Sequence, residues 1–127
     1  RVGRRIPLYC TAIGKVLLAS ASAQERRLAL AGVKLVAHTP KTITTRPALE
    51  AELKLVAARG WAFDNEEHET GIRCIGAPVR DYSGEVLAAI SASWPLFRYD
   101  ERREKDSIAR VVKAAGRISA VLGYLPD

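Results

Sequence analysis

The stretch that decides the fold is "RCIGAPVRDYSGEVLAAISASW", residues 73–94. Both of its ends alternate apolar with small or polar side chains, which is typical of β-strands. Between them lies "DYSGE", where Ser83 and Gly84 allow a tight turn without steric cost. The pattern predicts an antiparallel hairpin, and "WAFDNE" at residues 61–66 predicts a third strand before it.

Helical periodicity precedes these strands. Thr11 is a suitable N-cap residue for a first short helix. The predicted inner side of that helix consists of Ile13, Val16 and Leu17. Ser22 and Glu25 form a capping-box pattern at the start of a second short helix, which Gly32 is expected to end.

Two longer helices complete the pattern. Pro47 suits the first turn and Gly60 the end of a helix at residues 46–60. Its inner side is predicted to contain Leu49, Leu53 and Val56. A last helix is predicted at residues 100–123, with an apolar stripe formed by Ile108, Val111, Val112, Ala115, Ile118 and Leu122. Helices, then strands, then a helix predict an α+β domain in which helices cover an antiparallel sheet.

Length and composition predict one folded domain. The chain has 127 residues, of which 48% are hydrophobic and 27% charged, as in average globular proteins. We see no repeat and no internal boundary, so residues 1–127 are expected to form one unit. Because its apolar runs are far shorter than the roughly 20 residues of a membrane span, we expect a soluble protein.

Alternation also assigns the strand side chains to the two faces of the sheet. One face is predicted to carry Ile75, Ala77 and Val79 together with Ala88, Ile90 and Ala92, beneath the last helix. The other face is predicted to carry Cys74, Gly76, Ser91 and Ser93, and Asp64 is placed to join them from the neighbouring strand. Such small polar side chains line either a pocket for a small ligand or a bare sheet face, and the pattern alone leaves both open.

Charge and cysteine content restrict the class of partner. The formal charge of +6 raises nucleic acid as a partner, since 20 residues are basic and 14 acidic. The basic residues are scattered, however, and the acidic "DNEEHE" at residues 64–69 would repel phosphate, so we expect a solvated basic surface. Cys10 and Cys74 are isolated, which predicts reduced thiols in the cytoplasm; a single bridge between them remains an alternative.

Four segments of the chain resemble a known family. The segments "TAIGKVLLA", "TPKTIT", "DNEEHETGIRCIGAPVRDYSGEVLAAISAS" and "AAGRISAVLGY" are similar to the effector-binding, C-terminal domain of IclR-type transcriptional regulators. The likeness covers residues 7–124 in the same order. It implies a GAF-like antiparallel sheet flanked by helices, and a pocket on that sheet for a small organic acid or related metabolite.

The resemblance also implies a set of pocket residues. Carried over position by position, these are Ala12, Ile13 and Gly14 at the start of the first helix, and Asp64, Ile72, Cys74, Ser91 and Ser93 on the sheet. A helix start can hold a carboxylate, because its first N–H groups are unpaired and its dipole favours an anion. We assign no catalytic residue, no metal ligand and no cofactor.

The resemblance further implies a longer protein. In such regulators the domain follows a winged helix-turn-helix module that binds promoter DNA, and no such module is visible in this chain. Because the chain lacks methionine, we expect a piece of a longer regulator, cut inside the effector domain. The implied partners are a carboxylic acid effector, further copies of the chain in a dimer or tetramer, and DNA through the other module.

Two chemical alternatives remain. Cys74 would be the nucleophile of a small-molecule enzyme if His38 or His68 activated it, although alternation points the neighbouring Arg73 to the opposite face. A metal site would draw on Cys74, His68 and either Glu66 or Glu67, but no pair has the short spacing of a strong metal motif.

An interaction module is the third alternative. Large apolar residues follow the hairpin, namely Trp94, Leu96, Phe97 and Tyr99. They would form either core or contact surface, and we expect core for most of them.

Overall fold

The computed structural model describes residues 6–126. In chain order the elements are α1 (Ala12–Ser20), α2 (Ala23–Ala29), α3 (Arg46–Arg59), β1 (Ala62–Asn65), β2 (Ile72–Arg80), β3 (Val86–Pro95), short 3-10 turns at Leu96–Arg98 and Glu101–Arg103, and α4 (Glu104–Val121). The strands form an antiparallel sheet in the order β1-β2-β3. This arrangement confirms the predicted α+β class with helices against an antiparallel sheet.

The β2–β3 hairpin has the predicted register. Ile75 lies opposite Ala92, and Ala77 lies opposite Ile90. In the turn, the N–H of Asp81 donates to the carbonyl of Glu85 at 3.0 Å. Gly84 has φ of 86°, a left-handed conformation that glycine adopts without the strain of a side chain.

One face of the sheet packs against α4. Its buried cluster consists of Ile75, Ala77, Val79, Val111 and Ala115. Phe63, Ile90, Ala92, Trp94 and Tyr99 pack against it from the edges. The aliphatic face assigned from alternation is therefore confirmed except at Ala88, which lies opposite Val79 but is exposed.

The prediction for the last helix was partly wrong. α4 begins at Glu104, later than expected, and Val112, Ile118 and Leu122 of the predicted stripe are exposed. The helix buries a narrower line, which consists of Val111, Ala115 and Ser119. Ser119 can be buried in this line because its hydroxyl accepts the N–H of Arg80 and donates to the carbonyl of Ala115.

The opposite face of the sheet packs against α1, which rests on α3. α3 buries Leu49, Leu53 and Val56 as predicted, and Gly60 ends it in a left-handed conformation. α2 starts with the predicted capping box but ends at Ala29, before Gly32. These helices place the start of α1 directly on the sheet.

The predicted inner side of α1 was incomplete. Ile13 and Leu17 are half-buried, whereas Lys15 is fully buried. The ammonium group of Lys15 donates to Glu52 Oε2 and to the carbonyl of Phe63, both at 2.8 Å. Lys15 Nζ also lies 2.6 Å from Glu67 Oε1, an ion pair without aligned hydrogen-bond geometry. Lys15 can thus be buried on the inner side of α1, because carboxylates from other parts of the fold neutralise its charge.

The apolar residues after the hairpin divide between core and surface. Trp94 and Tyr99 pack edge-to-face near the α4 cluster, with ring centroids 5.8 Å apart. Leu96 and Phe97 are exposed, so the expectation of core packing is confirmed for only half of this group. Within residues 6–126, the helices lack either the length or the hydropathy that crossing a bilayer requires.

Candidate functional site

The small polar residues of the sheet lie together, as alternation predicted. Asp64 of β1, Cys74 of β2 and Ser93 of β3 stand directly opposite one another in one row across the three strands. The Cys74 sulfur lies 3.1 Å from the Ser93 hydroxyl oxygen. In the next row Gly76 pairs with Ser91. We call the surface formed by Asp64, Ile72, Cys74, Gly76, Ser91 and Ser93 the small-residue face.

The start of α1 lies on this face because Gly76 has no side chain. A Cβ atom at Gly76 would lie 3.0 Å from both the Cβ and the carbonyl carbon of Ala12. Thr11 caps the helix by accepting the N–H of Gly14 at 3.1 Å. The N–H groups of Ala12 and Ile13 have no hydrogen-bond partner in the described part of the chain. These groups lie at the positive end of the helix dipole and therefore favour an anion there.

The space beside Gly14 is filled by the chain itself. A Cβ at this position would lie 2.2 Å from the carbonyl oxygen of Leu8. Glycine is therefore required for the close approach of the lead segment to α1. The structure gives Gly14 a packing role, and its contact with a ligand stays a prediction.

Asp64 is buried and holds the loop between β1 and β2. Its Oδ1 atom accepts the N–H of Glu67 at 2.8 Å and the N–H of His68 at 3.3 Å. Burial raises the pKa of the Asp64 carboxyl, while these two hydrogen bonds lower it. One oxygen is thus committed within the chain, which leaves the other as the atom for the predicted ligand contact.

The remaining predicted residues differ in exposure. Cys74 and Ile72 are half-buried, whereas Ser91 and Ser93 are exposed. Ile72 lies opposite Pro95 at the end of the same face. Ala12 lies against Gly76 of this face. We call the part of the small-residue face beside the start of α1 the shelf.

The thiol environment does not fit a catalytic cysteine. Burial raises the pKa of the Cys74 thiol, with a smaller opposing effect of the Ser93 hydrogen bond, so the reactive thiolate is disfavoured. Both histidines lie near the other cysteine instead: His68 Nδ1 is 3.8 Å from Cys10 Sγ, and His38 contacts the neighbouring Tyr9. The pairing of Cys74 with either histidine, as nucleophile or as metal site, is therefore wrong. Both cysteines are free, which excludes a Cys10–Cys74 bridge in this structure.

A separate cavity lies at the other end of α1. It has a volume of about 500 Å³ and is bounded by α1, the end of α3 and the β2–β3 hairpin. Its charged walls are already bonded within the chain: Arg80 donates to the carbonyl of Gly84, and Glu25 accepts the N–H of Ser22. This cavity lacks the unpaired N–H groups found at the start of α1.

Comparison with known proteins identifies the family. The family model described as bacterial transcriptional regulator IclR C-terminal matches residues 1–120, and the chain belongs to this family. The HTH-type transcriptional regulator KdgR of Escherichia coli is 47% identical over 124 residues, which are 98% of this chain and 47% of that protein. The chain thus spans about half the length of the curated relatives that it matches.

Solved structures confirm the effector-domain fold. The crystal structure of the C-terminal domain of E. coli KdgR is 47% identical, with a TM-score of 0.88 over 96% of this chain and 74% of that one. The inducer-binding domain of the transcription factor PobR from Acinetobacter, a double mutant in complex with 3-hydroxybenzoic acid, is 26% identical. Its TM-score is 0.84 over 94% of this chain and 69% of that chain. The named relatives are regulators and repressors rather than enzymes.

Proposed function

We propose that this chain is the ligand-sensing domain of a bacterial transcriptional regulator, and that it binds a small organic acid between α1 and the small-residue face. The observation that carries this proposal is the contact of the start of α1, where the N–H groups of Ala12 and Ile13 are free, with Gly76 of the small-residue face. The complex of PobR with a hydroxybenzoic acid supports a carboxylic acid as the class of ligand.

Each residue has a distinct role in this binding mode. The helix start holds the carboxylate, to which Ala12 and Ile13 donate N–H groups. Ser91 and Ser93 donate hydroxyl protons to the carboxylate or to a keto oxygen, and Cys74 forms a soft, weakly polar wall. Asp64 accepts from a ligand hydroxyl, Ile72 supplies apolar contact, and Gly14 keeps the helix start in place by packing on Leu8.

The whole protein is proposed to act as a regulator through further parts. A separate winged helix-turn-helix module would bind promoter DNA, and copies of this domain would assemble as dimers or tetramers in the cytoplasm. An acid that binds one arrangement of helix start and sheet more tightly than another shifts the population toward it. That shift changes how the linked DNA-binding modules are presented.

A thermal-shift screen over small hydroxy, keto and aromatic carboxylic acids tests this proposal. A ligand that binds the native state raises Tm by mass action. We expect Ser91→Ala and Ser93→Ala each to weaken the binding of the active acid roughly tenfold or more, because each removes a hydrogen bond to a charged group. Ser83→Ala in the exposed turn between β2 and β3 is the matched control. An acid whose shift is unchanged by both strand variants would place the site elsewhere.

A further inference from the structure

A second group of polar side chains lies where three segments of the chain meet. One ligand atom each of Cys10, His38 and His68 lies within 4.8 Å of the others. The three residues come from separate segments: the lead before α1, the link between α2 and α3, and the β1–β2 loop. We propose that Cys10, His38 and His68 bind a divalent cation of the zinc type.

The donor atoms favour zinc over harder cations. Thiolate and imidazole nitrogen are ligands that zinc prefers, whereas magnesium and calcium prefer oxygen. With ordinary bond lengths, the sulfur and nitrogen donors around a tetrahedral zinc are about 3.6 Å apart. Cys10 Sγ lies 3.8 Å from His68 Nδ1, so this pair already has nearly the required spacing. Three protein ligands leave the fourth position of a tetrahedral ion for water.

Hydrogen bonds join the two segments that carry the histidines. The hydroxyl of Thr39 donates to the carbonyl of Glu66, and the hydroxyl of Thr42 donates to the carbonyl of Glu67, both at 2.6 Å. His38 lies directly before Thr39, and His68 lies directly after Glu67. These bonds hold the imidazoles near each other without a metal, with ring centroids 5.4 Å apart. A partly organised site reduces the cost of ordering its ligands.

Second contacts orient the ligand residues. The backbone N–H of His68 donates to Asp64, and the backbone N–H of His38 donates to Thr42 at 3.0 Å. Tyr9, whose hydroxyl donates to the carbonyl of Val36, also lies 3.1 Å from Nε2 of His38. Of these contacts, the two backbone bonds hold the segments, and the contact from Tyr9 reaches the imidazole ring of His38, as do the outer contacts that fix ring orientation in metal sites.

The local charge favours a cation. Asp64 is buried and forms no ion pair within the described residues, whereas the nearby Glu67 is paired with Lys15. A bound divalent ion would add positive charge near the carboxylate of Asp64, which already holds the backbone of His68. The competing interpretation is that two imidazoles merely pack over a buried thiol.

Metal titration of the purified protein, prepared without a histidine tag, separates these interpretations. Zinc binding is measured by calorimetry, and cobalt(II) is used as a spectroscopic substitute. We expect one equivalent of zinc and a thiolate-to-cobalt charge-transfer band. His38→Gln and His68→Gln should each weaken zinc binding about tenfold or more, and Cys10→Ser should abolish the band. Cys74→Ser is the matched control and should change neither.

If Cys10→Ser fails to fold, the histidine variants still test the proposal. His38 is exposed, so its replacement does not disturb the core. Absence of stoichiometric zinc binding would overturn the proposal, as would binding that persists in both histidine variants or that is lost in Cys74→Ser. No carboxylic acid is present in this titration, so its result is independent of the effector proposal.

Discussion

Two glycines within helices have opposite surroundings. Gly14 in α1 has backbone atoms of Leu8 at 2.2 Å from the position of a Cβ, whereas a Cβ at Gly116 in α4 would meet nothing within 4 Å. Backbone atoms cannot rotate away as a side chain does. The same one-carbon substitution should therefore have effects of opposite sign at the two positions.

We expect Gly14→Ala to lower the free energy of unfolding by about 3 kcal/mol or more, at the upper end of overpacking effects. Gly116→Ala, the matched control, should raise it by about 0.5–1 kcal/mol, because alanine is the better helix former. Urea denaturation followed by circular dichroism measures both values. Equal effects at the two positions would show that Leu8 does not lie against α1.

Tyr99 has an altered proton affinity. Burial, followed by the hydrogen bond that its hydroxyl donates to Glu104 at 2.7 Å, raises the pKa of Tyr99 from 10.0 to about 12. The folded state therefore keeps the phenol proton at pH values where the unfolded chain has lost it. This contribution to stability is fully present below about pH 10 and decreases as the pH rises toward about 12.

We expect the stability difference between the wild type and Tyr99→Phe to shrink between pH 9.5 and about 11.5, as the linkage relation requires. Urea denaturation at several pH values measures it, and absorbance titration of the phenolates should lose its most alkaline step in Tyr99→Phe; burial also raises the pKa of Tyr9, which is unchanged in the variant. Lysines also titrate in this range, but they do so in both proteins and therefore cancel in the difference. A constant difference across these pH values would contradict the assignment.

At the scale of elements, Lys15 joins three parts of the fold. From α1 its ammonium group contacts Glu52 on α3, Glu67 in the β1–β2 loop and the carbonyl of Phe63 on β1. Removing one partner of a buried ion pair leaves the other charge buried without compensation. The position of α1 on the sheet therefore depends on one side chain.

Lys15→Met should lower the free energy of unfolding by about 3–5 kcal/mol. Lys41→Met is the matched control, since Lys41 pairs with Glu66 at the surface and its loss should cost at most about 1 kcal/mol. Adding Glu67→Gln to Lys15→Met should recover part of the loss. Chemical denaturation of the four proteins decides: a loss below about 1 kcal/mol for Lys15→Met would show that the pair is not structurally required.

The elements also show what sequence patterns can and cannot predict. Alternation placed Asp64, Cys74 and Ser93 on one face because a strand fixes side-chain direction from local geometry alone. The inner side of α1 was harder, because the burial of Lys15 depends on carboxylates far away in the sequence. For α4, the pattern revealed an apolar stripe but not how much of its width the sheet covers; Ile118 is exposed.

At the scale of the whole molecule, the candidate sites differ in how far the sequence predicted them. The small-residue face followed from alternation and from family resemblance together. The cluster of Cys10, His38 and His68 did not, because Cys10 and His68 are 58 residues apart and no short spacing marks them. The threonine bonds between two loops bring the two histidines together.

Asp64 belongs to both neighbourhoods. It stands in register with Cys74, and its Oδ1 atom holds the backbone of His68. A displacement of this carboxylate would change both the small-residue face and the position of His68. The proposed acid and the proposed cation are therefore expected to alter each other's dissociation constants. By thermodynamic linkage, the factor by which the acid changes the dissociation constant of the cation equals the factor by which the cation changes that of the acid. On the two proposals above, the acid concentration at which this domain is half-occupied depends on the supply of zinc.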